Sequence, residues 1–396
     1  MINKKSKFKV MYIAGWYPPQ DNPNAGIFVK EHVKSIALYN EVTVLYASSR
    51  RIKGLIKINN IKDNIENLEE FELCINSVLP SPIVKFLKLA GIVYLAINLV
   101  RNGYKPDLIN ICSIFSVVGV AGFLVSKFFN LPVITNEHWS GYMRKNPLFL
   151  NIAIKTLGSF LLKKVTIICP VSNYLGNALI SLGIKKEKIF VIPNVVKSSY
   201  FQMRNKEVIN SRKVLLFIGL GFGVKGLYYL LDALRLVKTK RNDFFLEVIG
   251  GINTEELYSY KEIVKNLGLE EHISFLGVKT REEIDRYMEE CDFGVQPSLF
   301  ETFGISILEF LGKGKPVISS DIPPINELIP EKYGILVPPR DVEALSKAID
   351  IMLDSYYSYP SLEMIKYIRD NFSYESIGHL FDEVYSMATG KICESS

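Results

Sequence analysis

The chain has the composition of an ordinary globular protein that is large enough for two domains. It contains 396 residues, of which 48% are hydrophobic and 22% are charged, a mixture that excludes a disordered or fibrous chain. Its five cysteines and four histidines are scattered singly, so we expect no disulfide framework, zinc site or redox dithiol. The start, MINKKSKFKV, alternates like a strand and lacks the apolar run of a secretory signal, which predicts a cytoplasmic protein.

Positive charge is concentrated in the first half of the chain. The net charge is +6, and residues 1–195 carry about 24 Lys and Arg against about 11 Asp and Glu. This imbalance suits an anionic membrane surface or a phosphorylated partner, while a soluble domain that is merely basic remains an alternative. We expect no nucleic-acid partner, because there is no dense patch of Arg and aromatic residues and no known nucleic-acid module.

The first predicted elements form a βαβ unit. A buried strand over 9–15 is followed by a turn rich in Pro, Asn and Gly over 16–26, a helix over 27–39 and a strand over 42–47. Gly26 stands at the helix start, where it could let an anion approach. No complete G-x-G-x-x-G is present, so a nicotinamide or flavin dinucleotide site is not expected.

The next region contains a long apolar segment that has two possible environments. Residues 50–82 are polar and predict irregular structure, with strand character around 71–78. Residues 83–100 are apolar but are interrupted by Lys85 and Lys88, which makes them too short and too charged for a spanning helix. A buried core helix is the first interpretation, and an interfacial helix that touches lipid is the second.

His138 is the candidate site residue of the first half. A predicted strand, helix and strand over 107–112, 116–129 and 132–135 lead into the loop TNEHWSGY. His138, with Glu137 beside it, lies at a strand end in a polar, aromatic loop, where parallel sheets place ligands. The alternative is a loop histidine bonded to a backbone carbonyl. Strands over 165–171 and 188–195 then close this half, and residues 197–212 are predicted to form a linker.

The second half opens with a turn suited to phosphate. A strand over 214–219 ends at Gly219 and is followed by LGFGVKG and a helix over 227–237. Lys225 lies beside glycines at this strand-to-helix turn, an arrangement that suits a phosphate group. Further strands and helices are predicted over 245–250, 254–267, 273–276 and 281–289.

The most informative stretch is CDFGVQPSLFETFGISILEFL, residues 291–311. It predicts a short strand, a turn containing Glu301 and Gly304, and a helix that carries Glu309 in its second turn. The N–H groups at a helix start suit a pyrophosphate, and glycine lets the backbone come close to it. Carboxylates accept hydrogen bonds from sugar or ribose hydroxyls.

The two glutamates allow two other interpretations. A glycosidase pair needs carboxyl groups about 5–9.5 Å apart, whereas eight residues of helix span about 12 Å. A hydrolase pair is therefore disfavoured unless the loop folds back. The simpler alternative is a solvated loop glutamate and an ordinary surface glutamate.

The spacing of these glutamates, with Phe-Gly between them, resembles the donor-site signature of retaining glycosyltransferases of family 4. The resemblance covers nearly the whole chain. It implies the α/β GT-B architecture, two Rossmann-like domains that face a cleft. Residues 1–196 would be the acceptor domain, joined by a C-terminal helix within 373–396 that crosses back to it, and residues 197–372 would be the nucleotide-sugar donor domain.

The resemblance also implies roles for individual residues. Glu301 would contact hydroxyls of the transferred sugar and Glu309 those of the ribose. The remaining donor-binding residues would be Gly26, Gly219, Lys225, Val278, Thr302, Phe303 and Gly304, with Val278 and its neighbour Lys279 next to the nucleobase. His138 would lie near the reacting sugar, without acting as a general base. No Asp-x-Asp motif is present, so Lys225 and helix N-termini would replace a metal, and no metal or cofactor is expected.

The chain departs from the family pattern at two places. Leu220 stands where the family usually has an Arg, which removes one phosphate-binding charge. Pro323 and Pro324 stand where the family often has two glycines, which predicts a stiffer turn beside the donor sugar.

The resemblance implies transfer of a sugar, with retention, from a nucleotide donor, for which UDP is the commonest family choice. The expected acceptor is lipid-linked or of polysaccharide or lipopolysaccharide type, in bacterial surface glycan synthesis. Peripheral attachment to the inner face of the plasma membrane is left open beside a purely cytoplasmic location. Two alternatives stay open: a small soluble acceptor, and a non-catalytic subunit that binds a nucleotide-sugar.

Overall fold

The computed structural model describes residues 8–19, 21–22, 25–62, 65–143, 154–201, 212–219, 222–251 and 254–391. The chain divides into two compact units. The first unit comprises Met1–Val195 and Tyr374–Ser396, and the second unit comprises Val196–Ser373. The acceptor and donor roles assigned to the two halves stay a prediction.

The strands form two sheets, one in each unit. In chain order they are β1 Lys9–Ala14, β2 Glu41–Arg50, β3 Ile56–Lys62, β4 Leu68–Asn76, β5 Leu108–Cys112, β6 Val133–Glu137, β7 Ile167–Pro170, β8 Lys213–Ile218, β9 Phe244–Ile249, β10 Ile273–Gly277, β11 Phe293–Gln296, β12 Val317–Ser320 and β13 Gly334–Val337. The first sheet has the order β3-β4-β2-β1-β5-β6-β7 and the second β10-β9-β8-β11-β12-β13. Neighbouring strands are parallel apart from β3, which runs antiparallel to β4.

Helices connect the parallel strands, as a parallel sheet requires. They are α1 Ile27–Ala37, α2 Ser81–Arg101, α3 Val117–Phe129, α4 Ser159–Lys164, α5 Asn173–Ser181, α6 Phe222–Lys225, α7 Leu227–Lys238, α8 Thr254–Asn266, α9 Arg281–Glu290, α10 Ile305–Gly312, α11 Ile325–Leu328, α12 Val342–Ser355, α13 Ser361–Phe372 and α14 Tyr374–Thr389. The alternation of strand and helix places both units in the α/β class.

Both faces of the first sheet are covered by helices. Successive side chains of a strand point to opposite faces, and all residues of β1 after Lys9 are buried. Tyr12 belongs to the core cluster that α1 and α14 complete, whereas Ile13 faces Gly122 of α3. Covering both faces explains why β1 is almost continuously apolar.

The last helix packs against α1 within the first unit. Gly378 of α14 lies so close to α1 that a Cβ atom there would stand 2.6 Å from the Ser35 carbonyl oxygen. Asn40 Nδ2 donates to Asp382 at 2.6 Å, and Asn110 donates to the Tyr385 hydroxyl at 2.7 Å. A glycine at the crossing and polar contacts around it therefore hold the end of the chain on the first sheet.

The structure confirms the strand character expected around 71–78, which belongs to β4, but corrects the prediction of irregular structure for the rest of residues 50–82. This region contains the end of β2 and the whole of β3 and β4. The sequence of β3 alternates Ile with Lys and Asn, and even its Ile56 and Ile58 are exposed. An edge strand of this kind lacks the apolar signal of a buried strand, so composition alone suggested a loop.

The first interpretation of the apolar segment was also wrong, because α2 is not a core helix. Only Ile92, Leu95 and Ala96 are buried along its length. In the most apolar window of α2, 17% of the residues are buried, and the helix is long and apolar enough to cross a membrane by length and composition alone. Hydropathy had indicated a buried helix, but burial depends on what packs against it.

A third correction concerns residues 188–195. They were expected to form a strand, yet the structure contains only an isolated bridge between Ile168 and Ile189 there. Two further backbone hydrogen bonds, from Phe190 and Ile192, tie the segment to β7.

Candidate functional site

Two turns of the second unit meet where the strand order reverses. The strands β8 and β11 are neighbours, with β9 and β10 beyond β8 and with β12 and β13 beyond β11. Connections that leave two adjacent parallel strands in opposite directions open a crevice at their carboxyl ends, which is where such sheets bind ligands. Gly219 and Lys225 follow β8, and Ser298 and Glu301 follow β11.

Lys225 and Glu301 form an ion pair in this crevice. Lys225 Nζ lies 2.6 Å from Glu301 Oε1, and Ser298 Oγ donates to the same oxygen at 2.8 Å. The two side chains are 23% and 9% exposed, so both keep some access to solvent. The sequence predicted a phosphate-binding lysine and a sugar-binding glutamate separately, and the structure places their charges side by side.

Two glycines allow the turns to approach this closely. Gly226 has φ 77°, and a Cβ atom there would stand 1.9 Å from the Pro297 carbonyl oxygen. A Cβ atom at Gly219 would stand 2.8 Å from Lys225 Cγ. A backbone bond from Leu299 N to the Val224 oxygen at 2.8 Å joins the same two turns. The position of Lys225 next to Glu301 therefore depends on two glycines.

Leu220, which stands where the family usually has an arginine, lies outside the described residues.

The loop after Glu301 leads into the N-terminus of α10. Gly304 precedes this eight-residue helix with φ 92° and without a side-chain cap, and the first turn contains no acidic residue. The Phe303 ring is buried against Phe372 with ring centroids 6.2 Å apart, so this residue can offer a ligand only its backbone. An uncapped helix start with a glycine before it suits an anion such as a diphosphate.

The Pro323–Pro324 turn contacts this loop through the residue that follows it. Pro324 precedes α11, whose first residue is Ile325. The Cδ1 atom of Ile325 would lie 2.4 Å from a Cβ atom at Gly304. The proline turn therefore positions an apolar side chain against the glycine at the start of α10.

Glu309 is buried and is bound by Arg281, an arginine that the sequence pattern did not indicate as a site residue. Arg281 Nη1 lies 2.9 Å from Glu309 Oε1. Burial raises the pKa of Glu309, and the charge of Arg281 opposes that rise. The only sequence signal for Arg281 was its position just after Val278 and Lys279, the residues expected near a nucleobase.

Val278 and Lys279 lie at the end of β10, at the edge of the second sheet. The side chain of Val278 is 69% exposed. Lys279 lies 3.5 Å from Glu283 and over the ring of Tyr287. An exposed apolar side chain next to a strand end could pack on a flat base, and that contact stays a prediction.

His138 lies in the first unit, in an aromatic environment. Its ring lies 4.8 Å from that of Phe28 and 5.2 Å from that of His32, in tilted arrangements with interplanar angles of 44° and 46°. Both ring nitrogens are buried and have no hydrogen-bond partner among the described residues. Burial lowers the pKa of His138 well below 6.5, and His32 lowers it further. The ring is therefore neutral near pH 7. The alternative of a bond to a backbone carbonyl is wrong for His138, because neither of its ring nitrogens makes one with the described residues. The neighbouring His32 does make such a bond, from Nε2 to Pro193 O at 2.8 Å.

The two aromatic residues in the turn after β1 lie in different environments. Trp16 is exposed and packs edge-on against Phe28, whereas Tyr17 is buried and donates to Glu70 at 2.6 Å. Gly26 has φ 73°, and a Cβ atom there would lie 2.9 Å from Trp16 Cδ1. Gly26 is thus required by the packing of Trp16, while its predicted contact with the donor stays a prediction.

No group of three or more His, Cys, Asp or Glu that could hold a metal ion occurs among the residues that the structure describes. The expectation that no metal or cofactor is needed stays a prediction.

Two family models match most of the chain. Residues 200–370 match the model described as "Glycosyl transferases group 1" and residues 40–200 match "Glycosyltransferase Family 4". The first match contains the Lys225–Glu301 pair and Glu309, and the second contains His138. Together the two matches span residues 40–370, and the chain belongs to the family 4 glycosyltransferases.

Curated relatives share parts of the sequence. The chain is 28% identical over 187 residues to the amylovoran biosynthesis glycosyltransferase AmsK of Erwinia amylovora, a match that covers 46% of each chain. It is 27% identical over 257 residues to the alpha-monoglucosyldiacylglycerol synthase of Streptococcus pneumoniae, covering 60% of this chain and 57% of that protein. The chain therefore spans about half of the length of the curated relatives it matches.

Solved structures share the fold along almost the whole chain. A sucrose-phosphate synthase from Thermosynechococcus elongatus matches with a TM-score of 0.75 and 18% identity, covering 98% of this chain and 100% of that chain. The Anabaena protein Alr3699/HepE, in complex with UDP and glucose, matches with a TM-score of 0.70 and 17% identity, covering 96% and 100%. These likenesses identify the fold as GT-B, as the sequence predicted.

Proposed function

We propose that this protein transfers a sugar from a nucleotide donor to a glycan or lipid-linked acceptor, with retention of configuration. The observation that carries the proposal is the Lys225–Glu301 pair beside the start of α10, in the crevice between β8 and β11. A cation and helix N–H groups suit the diphosphate, and a carboxylate suits the hydroxyls of the transferred sugar. Family membership favours the same activity.

In this proposal each described residue has one task. Lys225 and the backbone N–H groups of Thr302 to Gly304 bind the diphosphate in place of a metal. Glu301 accepts hydrogen bonds from the sugar. Glu309, oriented by Arg281, accepts them from the ribose.

The reaction we propose takes place on one face of the sugar. The acceptor oxygen forms a bond to the anomeric carbon while the bond from that carbon to the phosphate oxygen breaks. The leaving phosphate oxygen takes the proton of the acceptor hydroxyl. His138, which is neutral, is assigned a polar contact near the reacting sugar and no proton transfer.

The Anabaena protein has been solved with UDP and with UDP-glucose, which supports a UDP-sugar as donor here. We expect UDP-glucose or another UDP-sugar to raise the melting temperature more than GDP- or ADP-sugars, because a ligand at 100 times its Kd adds about 2.7 kcal/mol. A thermal-shift series measures this, with and without EDTA. Lys225→Met should abolish the shift, whereas Lys240→Met, at an exposed lysine paired with Asp350, should keep it. No shift with any nucleotide-sugar would contradict the proposal.

The exposed face of α2 supports a membrane-bound acceptor. Ile83, Phe86 and Tyr94 are exposed on α2, and Leu124 and Phe128 are exposed on α3, which packs beside it. The same helices carry Lys85, Lys88 and Lys127. Apolar side chains with lysines among them suit the surface of an anionic lipid bilayer. We therefore assign the acceptor to the membrane surface.

We expect the protein to float with vesicles containing anionic lipid at low salt and to remain in solution with neutral vesicles. Each lysine near an anionic surface contributes about 1 kcal/mol, and the buried apolar side chains add to this. The double variant Phe86→Ser and Phe128→Ser should lose most of the floating fraction. Tyr357→Ser, which removes a similarly exposed aromatic residue of the second unit, should float like the unmodified protein. If the unmodified protein does not float, the soluble-acceptor alternative is favoured.

A further inference from the structure

A second cavity, of about 270 Å³, lies in the first unit and shares no residue with the donor crevice. It is lined by residues that follow three neighbouring strands: Trp16 after β1, Ser113 and Phe115 after β5, and Glu137, Trp139 and Tyr142 at and beyond the end of β6. The chain leaves β1 towards β2 on one side and leaves β5 towards β6 on the other. The cavity therefore occupies the switch point of the first sheet, the place where such sheets bind ligands.

A buried carboxyl group with an unpaired oxygen lines this cavity. Glu137 is 0% exposed, and its Oε1 accepts hydrogen bonds from Ile114 N at 3.0 Å and Thr135 Oγ1 at 2.7 Å. Within the part of the chain that the structure describes, its Oε2 has no hydrogen-bond partner, and neither has the hydroxyl of Tyr142. The Tyr142 hydroxyl lies near enough to Glu137 to lower the pKa of the carboxyl group as a hydrogen-bond donor does, but no hydrogen bond of ordinary geometry joins the two groups. An unpaired buried oxygen is costly, so its place in a cavity indicates a ligand that donates to it.

Aromatic rings form the other walls of the cavity. Trp139 stacks on Phe115 with centroids 5.4 Å apart and meets Tyr142 edge-on at 5.1 Å. The ring is held close to the backbone, because a Cβ atom at Gly141 would lie 2.2 Å from Trp139 Cζ2. Ser113 adopts φ 60° on the same wall, a conformation that costs free energy and is concentrated at binding sites.

We propose that this cavity binds one uncharged sugar ring of the acceptor. A ring hydroxyl donates to Glu137 Oε2, and the C–H face of the sugar packs on the aromatic wall formed by Trp16 and Trp139. The volume lies just below the range of about 300–1,000 Å³ for drug-sized ligands, so it suits a single ring. The lining that the structure describes contains no basic side chain, and the carboxyl group repels phosphate. The inference rests on the proposed function, because it identifies the sugar as part of the acceptor.

The ionisation of Glu137 gives the inference a pH signature. Burial raises the pKa of Glu137 to about 7. The titratable groups that face it, Tyr142, Cys112 and Cys169, have pKa values raised by burial and stay neutral at that pH, as does the adjacent His138. A hydroxyl that donates to Oε2 favours the ionised carboxylate. Sugar affinity should therefore increase as pH rises through about 7 and reach a plateau above it.

Tryptophan fluorescence tests the inference without any donor. The chain has two tryptophans, and both line the cavity, so a bound sugar changes their emission directly. Octyl glucoside below its micellar concentration, octyl galactoside and glucose 1-phosphate serve as probes. We expect at least one neutral glycoside to bind saturably, more tightly at pH 8 than at pH 6, and glucose 1-phosphate to bind at least about tenfold more weakly, given the cost of an unpaired buried charge.

Glu137→Gln should weaken that binding about tenfold or more at pH 8, the loss expected for a hydrogen bond to a charged group, and should remove the pH step. Glu187→Gln, at an exposed glutamate, is the matched control and should change neither. If no neutral glycoside alters the fluorescence at either pH, the inference fails, even if Glu137→Gln cannot be folded. The thermal shift with UDP-sugars decides the donor function separately, so the two failures can be distinguished.

Discussion

We expect Glu301→Gln to reduce the rate of sugar transfer by about 100-fold or more, which is the order found when a group that stabilises a transition state is removed. Glutamine keeps the size of the side chain but cannot be ionised. It therefore loses the 2.6 Å ion pair with Lys225 and accepts weaker hydrogen bonds from the hydroxyls of the transferred sugar.

Binding of UDP alone should change little in this variant, because Lys225 and the start of α10 remain to hold the diphosphate. The measurement is therefore a pair: transfer or donor hydrolysis from UDP-sugar, and the Kd of UDP. A fall in rate at constant UDP affinity identifies a sugar contact. Glu327→Gln, at an exposed glutamate, is the control and should keep the full rate. If Glu301→Gln transfers and hydrolyses the donor like the unmodified protein, the site is misplaced or the chain is a non-catalytic subunit.

The second large effect is expected for Gly226→Ala, through stability. The residue has φ 77°, and the new methyl group would stand 1.9 Å from the Pro297 carbonyl oxygen, an impossible distance. A left-handed conformation costs a residue with a Cβ atom roughly 1–2 kcal/mol, and separating the two turns adds to this. We expect a loss of about 3–5 kcal/mol, which lowers the melting temperature of a domain of this size by roughly 6–20 °C.

The same substitution should weaken donor binding, because it moves Lys225 away from Glu301. Melting curves with and without UDP measure both effects. Gly223→Ala provides a matched control three residues earlier, in α6, where a Cβ atom would meet no atom of the described residues within 4 Å. Gly223→Ala should change neither the melting temperature nor the affinity for UDP. A Gly226→Ala variant with unchanged melting temperature and UDP affinity would show that the two turns do not approach as described.

The local pattern of the sequence predicted much of the fold. Alternation of apolar strands, glycine-containing turns and amphipathic helices predicted the βαβ order of both units and the strand, turn and helix that carry Glu301 and Glu309. It failed at β3, where the exposed Ile56, Lys57 and Ile58 do not resemble a buried strand. It also failed for α2, whose hydropathy predicted the core although only three of its 21 residues are buried. The periodicity of apolar residues indicates whether a segment is a helix or a strand, but it does not show what packs against that segment.

The sequence by itself determined the class of fold, the family and the chemical character of the candidate residues, because these depend on local spacing and residue type. Only the tertiary structure decided which of them meet. Lys225 and Glu301 are 76 positions apart, and Arg281 and Glu309 are 28 apart. Each pair is brought together by the order of strands in the second sheet and by the packing of α9 against its neighbours. The unpaired oxygen of Glu137 likewise became visible only in the folded chain, since partners for a buried group come from distant strands and loops.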